Sequence, residues 1–351
     1  MSDNAVDRQT GVQLKEGGKP SIAPGIGPVD PVNIRSMLML TAANYMMVDD
    51  EWPYREATIQ LRSQGDELGV FRFFGANDPD SIRRVAEGEL DISIMNPSAI
   101  LGMAYRGVGL FANPLPVALI AVMPHYDQLG FAVSEASGLT SLDDIREQRY
   151  PLRLCVRGPL DQSTCDLVEV VLKAHGFSYA DIVEWGGSVA YDQQLPPVGF
   201  PGIPSRIELA ARGEYDAIFE EAVFIWVNAA VGAGLRFLDI SPERLADLER
   251  MGFMPGKLEK AHYDRLPADV TTLDFSGWPV YTRADAPHLL VRKFCETLEA
   301  RKDSIPWNIG PVKQQALPLE RMVVDSPQTP LMGVPFHPAA REAWAKMGYL
   351  A

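Results

Sequence analysis

Cysteine is scarce in this chain of 351 residues: only Cys155, Cys165 and Cys295 occur, with no CxxC pair among them. An odd and sparse set excludes a disulfide framework and a thiolate zinc site, and buried structural roles are expected for Cys155 and Cys165. Histidine is nearly as rare, five residues without HxH or HxxxH spacing, so no metal centre is expected. Long apolar runs are missing too. A membrane-spanning helix needs roughly 18 uncharged apolar residues, and the longest apolar stretch, Pro114 to Met123, falls well short. Positive charge is also in deficit: 32 Lys plus Arg stand against 46 Asp plus Glu, a net charge of −14, and no basic cluster breaks the excess. Nucleic acid is a poor partner for such a surface, and direct membrane insertion is not expected. The opening residues lack the basic start and apolar core of a secretory signal. They are rich in Gly, Pro and charge, so residues 1–32 are expected to be a flexible arm. As written, the chain is expected to be cytoplasmic.

The chain does have the means to build a packed core, with 46% apolar and 22% charged residues. Its length suits two domains of ordinary size. From Asn33 onward one phrase repeats: strand, polar turn, helix. The run Ser36–Leu40 reads as a buried strand ending at Thr41-Ala-Ala-Asn44. Val70–Phe74 reads as a second strand, ending at Gly75-Ala76-Asn77 before a helix with Pro79 at its start and Gly88 as its stop. Leu90–Ile94 reads as a third, ending at Asn96-Pro97-Ser98 before a helix over 99–105.

The phrase returns after Gly130. Phe131–Val133 is a strand, Ser141 with Asp144 resembles a capping box, and Leu152–Val156 is a strand ending at Arg157. The helix 165–174 follows, then expected strands at Ile182–Trp185 and Tyr215–Phe219, the latter leading into Glu220 and Glu221. Between these two strands, Tyr191–Pro204 is rich in proline and suits either a closing lid or a surface insertion. This alternation predicts parallel α/β sheets, whose ligands sit beyond the carboxyl ends of the strands.

Several runs resemble the TAXI family of TRAP-transporter solute receptors. Gly138-Leu-Thr-Ser-Leu-Asp-Asp-Ile145 is similar to a segment shared by extracytoplasmic receptors. A strand–turn–helix unit follows from Arg157 to Gly176, and then Leu209 to Phe219 with its Tyr-Asp-Ala core. The tail Pro335-Phe-His-Pro-Ala-Ala340 resembles the family's ending. The resemblance implies a type II periplasmic-binding-protein fold, α/β, with two lobes closing on a small organic acid, aromatic acids among them. Lobe one would comprise residues 33–129 and 241–351, and lobe two residues 130–240. A membrane permease would be the partner, no cofactor would be needed, and the family location is the periplasm. Against this stand the missing export signal, Gly75-Ala-Asn in place of the family's Gly-Ser, and the proline-rich insert. The alternative is a cytosolic enzyme, of decarboxylase or lyase type, or a sensor on the same fold.

The strand-end rule nominates the ligand contacts. Arg157, with Ser163 and Thr164 at the following helix N-terminus, suits a carboxylate. The alternative for this turn is plain helix capping with Arg157 in water. Thr41, Asn44, Tyr45, Asn77 and Ser98 offer amides and hydroxyls that orient a polar ligand, or serve as ordinary turn residues. Of Glu220 and Glu221, one carboxylate could take an amine or hydroxyl or act as an acid/base group, with Glu220 the candidate ligand contact; otherwise Glu220 caps the next helix and Glu221 is solvated. No catalytic constellation is legible, and His337 is expected to brace the C-terminal helix.

Overall fold

Ser36–Leu40 lies inside a helix, α1 (Ile34–Met46), and not in the buried strand that its apolar run predicts. Met, Leu and Ala are strong helix formers, and the run contains no β-branched residue to favour a strand. Leu38, Met39 and Leu40 are exposed on this helix. The structure is a computed structural model and describes residues 34–46, 57–62, 69–75, 78–157, 162–191, 203–221, 223–305, 307–309, 312–314 and 316–351. Two units are distinguished, one of Met1–Arg55 with Thr297–Leu317, the other of Glu56–Glu296 with Pro318–Ala351. The expected arm over 1–32, Asn77 and most of the Tyr191–Pro204 segment lie outside the described residues.

The larger unit begins with β1 (Ala57–Arg62), which the sequence did not announce, paired antiparallel with β2 (Val70–Gly75), the strand expected at Val70–Phe74. Helix α2 (Asp80–Glu87) follows Pro79 and stops at Gly88 in the left-handed region, φ 82°. Its Ile82 and Val85 are buried. After β3 (Ile92–Ile94) come α3 (Ser98–Arg106) and β4 (Val117–Met123). The β4 sequence Val-Ala-Leu-Ile-Ala-Val-Met is buried along nearly its whole length, which is why it reads as a continuous apolar run.

The chain then crosses to a second sheet. Its elements are β5 (Gln128–Ser134), α4 (Leu142–Glu147), β6 (Arg153–Val156), α5 (Gln162–Ala174), α6 (Tyr179–Glu184), β7 (Ser188–Tyr191), α7 (Ile203–Ala211) and β8 (Ala217–Glu220). These are followed by α8 (Val227–Gly232), β9 (Leu235–Phe237), α9 (Pro242–Arg250) and the hairpin β10 (Met254–Leu258) and β11 (Val270–Asp274). The capping box is present: Ser141 Oγ accepts from the Asp144 N–H while Asp144 accepts from the Ser141 N–H. The strand expected at Ile182–Trp185 is instead part of α6 and its end. Ser178 Oγ accepts from the Asp181 N–H and nucleates that helix, so the strand comes later, as β7.

The chain returns to the first sheet with β12 (Trp278–Arg283) and α10 (His288–Arg301). The short hairpin β13 (Trp307–Ile309) and β14 (Val312–Gln314) belongs to the smaller unit, as does α1. Helices α11 (Leu319–Met322) and α12 (Pro338–Lys346) complete the chain. His337 caps α12: its Nδ1 accepts from the Ala339 N–H, and its Nε2 lies 3.1 Å from the Ala286 carbonyl oxygen.

The first sheet has the order β1-β2-β3-β12-β4, and the second β10-β11-β5-β8-β6-β7 with β9 also on β5. Both are mixed, not purely parallel. β12 runs antiparallel between β3 and β4, and β5 antiparallel beside β8. Because β10 and β11 pair on β5, the return crossing falls after Asp274 rather than at residue 240. The two crossings run side by side. The Gly277 N–H donates to the His125 carbonyl at 3.0 Å, and the Phe275 N–H to that of Asp127 at 2.9 Å. Gly277 has φ +77°, and a Cβ there would sit 2.6 Å from Ser98 Oγ, so only glycine fits this turn.

Packing follows the alternation of β-strand side chains. Phe131, Val133 and Phe219 face the core shared with Leu154, Leu167 and Val171, while Ala132 and Ile218 face a second cluster with Trp226, Val227 and Leu258. With side chains buried on both faces, the position of the second sheet's strand ends is fixed from two sides.

Candidate functional site

Four charged side chains meet where the strands of the second sheet end. Arg157 follows β6, Glu220 ends β8, Glu221 follows it, and Arg206 projects from α7. All are buried: Arg157 is 5% exposed, Glu221 3%, and Arg206 and Glu220 0%. Arg157 is therefore not a solvent-facing residue, and neither glutamate is solvated. Its Nη2 lies 2.6 Å from Glu220 Oε1 and its Nη1 2.7 Å from Glu221 Oε1. Arg206 Nη1 lies 2.8 Å from Glu220 Oε2. Two guanidinium groups balance two carboxylates, which offsets the cost of burying each charge. Burial alone would raise the Glu220 carboxyl, but Arg157 and Arg206 outweigh it and hold the group below the usual carboxylate range.

The first sheet contributes to the same cluster. Asn96, two residues past β3, donates its Nδ2–H to Glu221 Oε1 and Oε2, 3.2 Å to each. One carboxylate is thus held from both sheets, by an amide on one side and a guanidinium on the other. The backbone of this corner is fixed as well. Trp226 Nε1–H donates to the Glu221 carbonyl at 2.8 Å, and the Glu221 N–H to Glu220 Oε1 at 2.9 Å. Asp127 Oδ1 accepts from the Val223 N–H at 3.3 Å and from the Gln128 N–H at 2.8 Å, tying the first crossing to the β8 exit.

Ser163 and Thr164, in the first turn of α5, are 0% and 1% exposed, and Thr164 Oγ1 has no hydrogen-bond partner among the described residues. Ser98 Oγ, at the start of α3, is also buried without one. Unsatisfied hydroxyls of this kind cost stability unless something else pairs with them. Beside the return crossing, His125 stacks on Trp278 with ring centroids 4.7 Å apart. Burial lowers its imidazole to about 4, so it is neutral at physiological pH.

The expectations for the first apolar run do not survive. Thr41, Asn44 and Tyr45 lie on α1 and not at a strand end, and Thr41 is exposed. Strand-end reasoning does bring Ser98, Arg157, Ser163, Thr164 and Glu220 into buried positions at the ends of β3, β6 and β8. It missed Arg206, which sits inside a helix with no motif around it. It also undervalued Asn96, whose only signal is its place after β3, and left Glu221 to solvent.

The trace itself defines the class. Two mixed α/β sheets are linked by two adjacent crossings, with β12 antiparallel between β3 and β4 in the first and β5 antiparallel beside the parallel strands β8, β6 and β7 in the second, which is a type II periplasmic-binding-protein-like fold. No known family model matches the chain, and no curated protein does. Solved structures with partial likeness include the alkanesulfonate-binding protein SsuA from Xanthomonas axonopodis pv. citri bound to MOPS. It is 15% identical, with TM-score 0.31, over 64% of this chain and 60% of that one. The glycine betaine/L-proline-binding protein ProX from Borrelia burgdorferi is 12% identical, with TM-score 0.34, over 59% and 62%. An ATP phosphoribosyl transferase complex from Thermotoga maritima is 12% identical, with TM-score 0.31, over 77% and 92%. The matched region spans about three fifths of the length of SsuA and ProX. At these TM-scores the likeness carries no inference about ligand or activity. Among the described residues, no helix is long and apolar enough to cross a membrane, and no group of side chains is arranged to hold a metal ion.

Proposed function

We propose that this chain is a solute-binding protein that takes a small organic acid between its two sheets, with the solute carboxylate on Arg157. One observation carries the reading: the Glu221 carboxylate is gripped at once by Asn96 after β3 and by Arg157 after β6. A solute carboxylate exchanged into that position would join the two sheets through the same donors. Glu220 and Arg206 would stay in place and keep the Arg157 fork oriented. Charge balance requires the exchange. A second carboxylate added beside Glu221 would leave a net negative charge in a buried site, whereas one that displaces Glu221 leaves the balance unchanged.

The hydroxyls of Ser98 and Thr164, buried without partners, supply hydrogen bonds for polar groups on the rest of the solute. The ring pair His125–Trp278 near the crossings gives an uncharged aromatic wall suited to an aromatic acid. The TAXI-like tail adds a receptor role, in which a membrane permease receives the solute. The test is to release small molecules from the purified protein with acid and identify them by mass spectrometry. A carboxylic acid recovered at near-stoichiometric yield from the wild type, and lost from Arg157→Lys, supports the proposal. A retained molecule with no carboxylate would overturn it.

A further inference from the structure

A cavity of about 440 Å³ lies away from the Arg157 cluster, between the β10–β11 hairpin and the segment around 325–330, beside the first crossing. We propose that it binds an organic cation, a primary ammonium group on a short apolar chain. Its polar lining is dominated by acceptors. Gln128 lines it, is 1% exposed, and its Oε1 is buried with no hydrogen-bond partner among the described residues. The Gln128 side chain lies against the Asp274 carboxylate and the Tyr126 hydroxyl, which also line the cavity. An amide whose N–H₂ serves a carboxylate presents its carbonyl oxygen to whatever comes next, and that must be a donor.

The charges agree with this. Asp274, Glu259 and Asp325 face the cavity, with the Tyr126 hydroxyl beside them. The one lining cation, Lys257, has its Nζ 3.3 Å from Asp269 and is already engaged there. Asp274 Oδ1 accepts from Ser276 Oγ–H at 2.6 Å, which orients the carboxylate. Burial raises this group to about 6, so it is ionised at neutral pH at a cost that a bound cation would offset. No group of three or more side chains is set to ligate a metal among the described residues. An ammonium, with three donors, matches Gln128 Oε1 and the Asp274 carboxylate better than a bare ion does. Met254, Pro255, Pro327 and Pro330 supply the apolar wall for its chain.

The test is by NMR on protein carrying 13C-methyl methionine, with the Met254 signal assigned by Met254→Leu. Hexylammonium chloride is titrated to about 10 mM at low salt, where weak charge-driven binding is detectable. Hexan-1-ol and sodium hexanoate serve as the uncharged and oppositely charged controls. The expected result is a saturable Met254 shift with hexylammonium alone, weakened about tenfold in both Asp274→Asn and Gln128→Leu. Should either variant fail to fold, Glu259→Gln at the exposed rim decides, with affinity falling about threefold. No Met254 shift with hexylammonium, an equal shift with hexan-1-ol, or unchanged affinity in folded variants would overturn the proposal.

Discussion

The Asn96 amide and the Glu221 carboxylate meet at 3.2 Å although 125 residues separate them in the chain. Asn96 belongs to the first sheet's strand ends and Glu221 to the second's, so this contact is a polar link between the sheets. Its strength depends on Arg157, which holds the same carboxylate from the other side at 2.7 Å. Removing or replacing that carboxylate should therefore change both the link and what can bind in its place.

Glu221→Gln removes the charge that competes for Arg157 while keeping the side-chain shape. Carboxylate solutes should bind the variant more tightly than the wild type. A charge-assisted hydrogen bond is worth about 1.5–3 kcal/mol, so the gain should be tenfold or more by calorimetry.

Glu220 should behave differently, because it neutralises both buried arginines. Glu220→Ala removes the carboxylate that Arg157 and Arg206 share, and breaking a buried pair costs about 3–5 kcal/mol. Urea unfolding should show that loss. Arg212→Ala, which breaks an exposed pair with Glu214, should cost less than about 1 kcal/mol in the same assay.

Acid should act on two groups in opposite directions. Buried His125 stays neutral until about pH 4 when folded but takes a proton near 6.5 when unfolded, so stability is lost as pH falls through that window. Buried Asp274 takes its proton near 6 when folded and near 3.8 when unfolded, so it adds stability as pH falls through its own window. The Asp274 gain offsets much of the His125 loss in the wild type. Asp274→Asn removes the opposing gain while the His125 loss remains, so that variant should lose stability faster than the wild type on acidification, by on the order of 2 kcal/mol at about pH 4. Denaturant midpoints measured across the range check this.

The cysteines should be inert. Burial raises the Cys165 thiol to about 11 and Cys295 to about 12, and Cys155 is fully buried in β6. A thiol reagent such as dithionitrobenzoate should label the native protein slowly and all three cysteines once it is unfolded in denaturant.

Local chemistry made much of this fold legible. Gly88 and Gly176 stop their helices, Ser141 and Asp144 form their box, and Val70–Phe74 and Leu152–Val156 fall on β2 and β6. Errors arose where short apolar runs fit two periods. Ser36–Leu40 and Ile182–Trp185 each read as a strand and form helix, because propensity and an N-cap decide segments too short to show periodicity. The edge strands β1 and β10 were missed because half-exposed strands carry weak apolar patterns. At the site, strand ends pointed to Arg157, Ser98 and Glu220. Arg206 and the Asn96–Glu221 contact depend on how α7 and the two sheets pack, which no local motif encodes.

The most direct measurement is a calorimetric titration of small aliphatic and aromatic carboxylates against wild type, Arg157→Lys and Arg157→Ala, each first shown to be folded by circular dichroism. At least one acid should bind the wild type, with both variants weakened tenfold or more, since Lys lacks the fork that Arg157 offers and a lost charge-assisted bond costs about 1.5–3 kcal/mol. An acid that binds all three proteins with equal affinity would contradict the assignment of Arg157 as the solute's anchor.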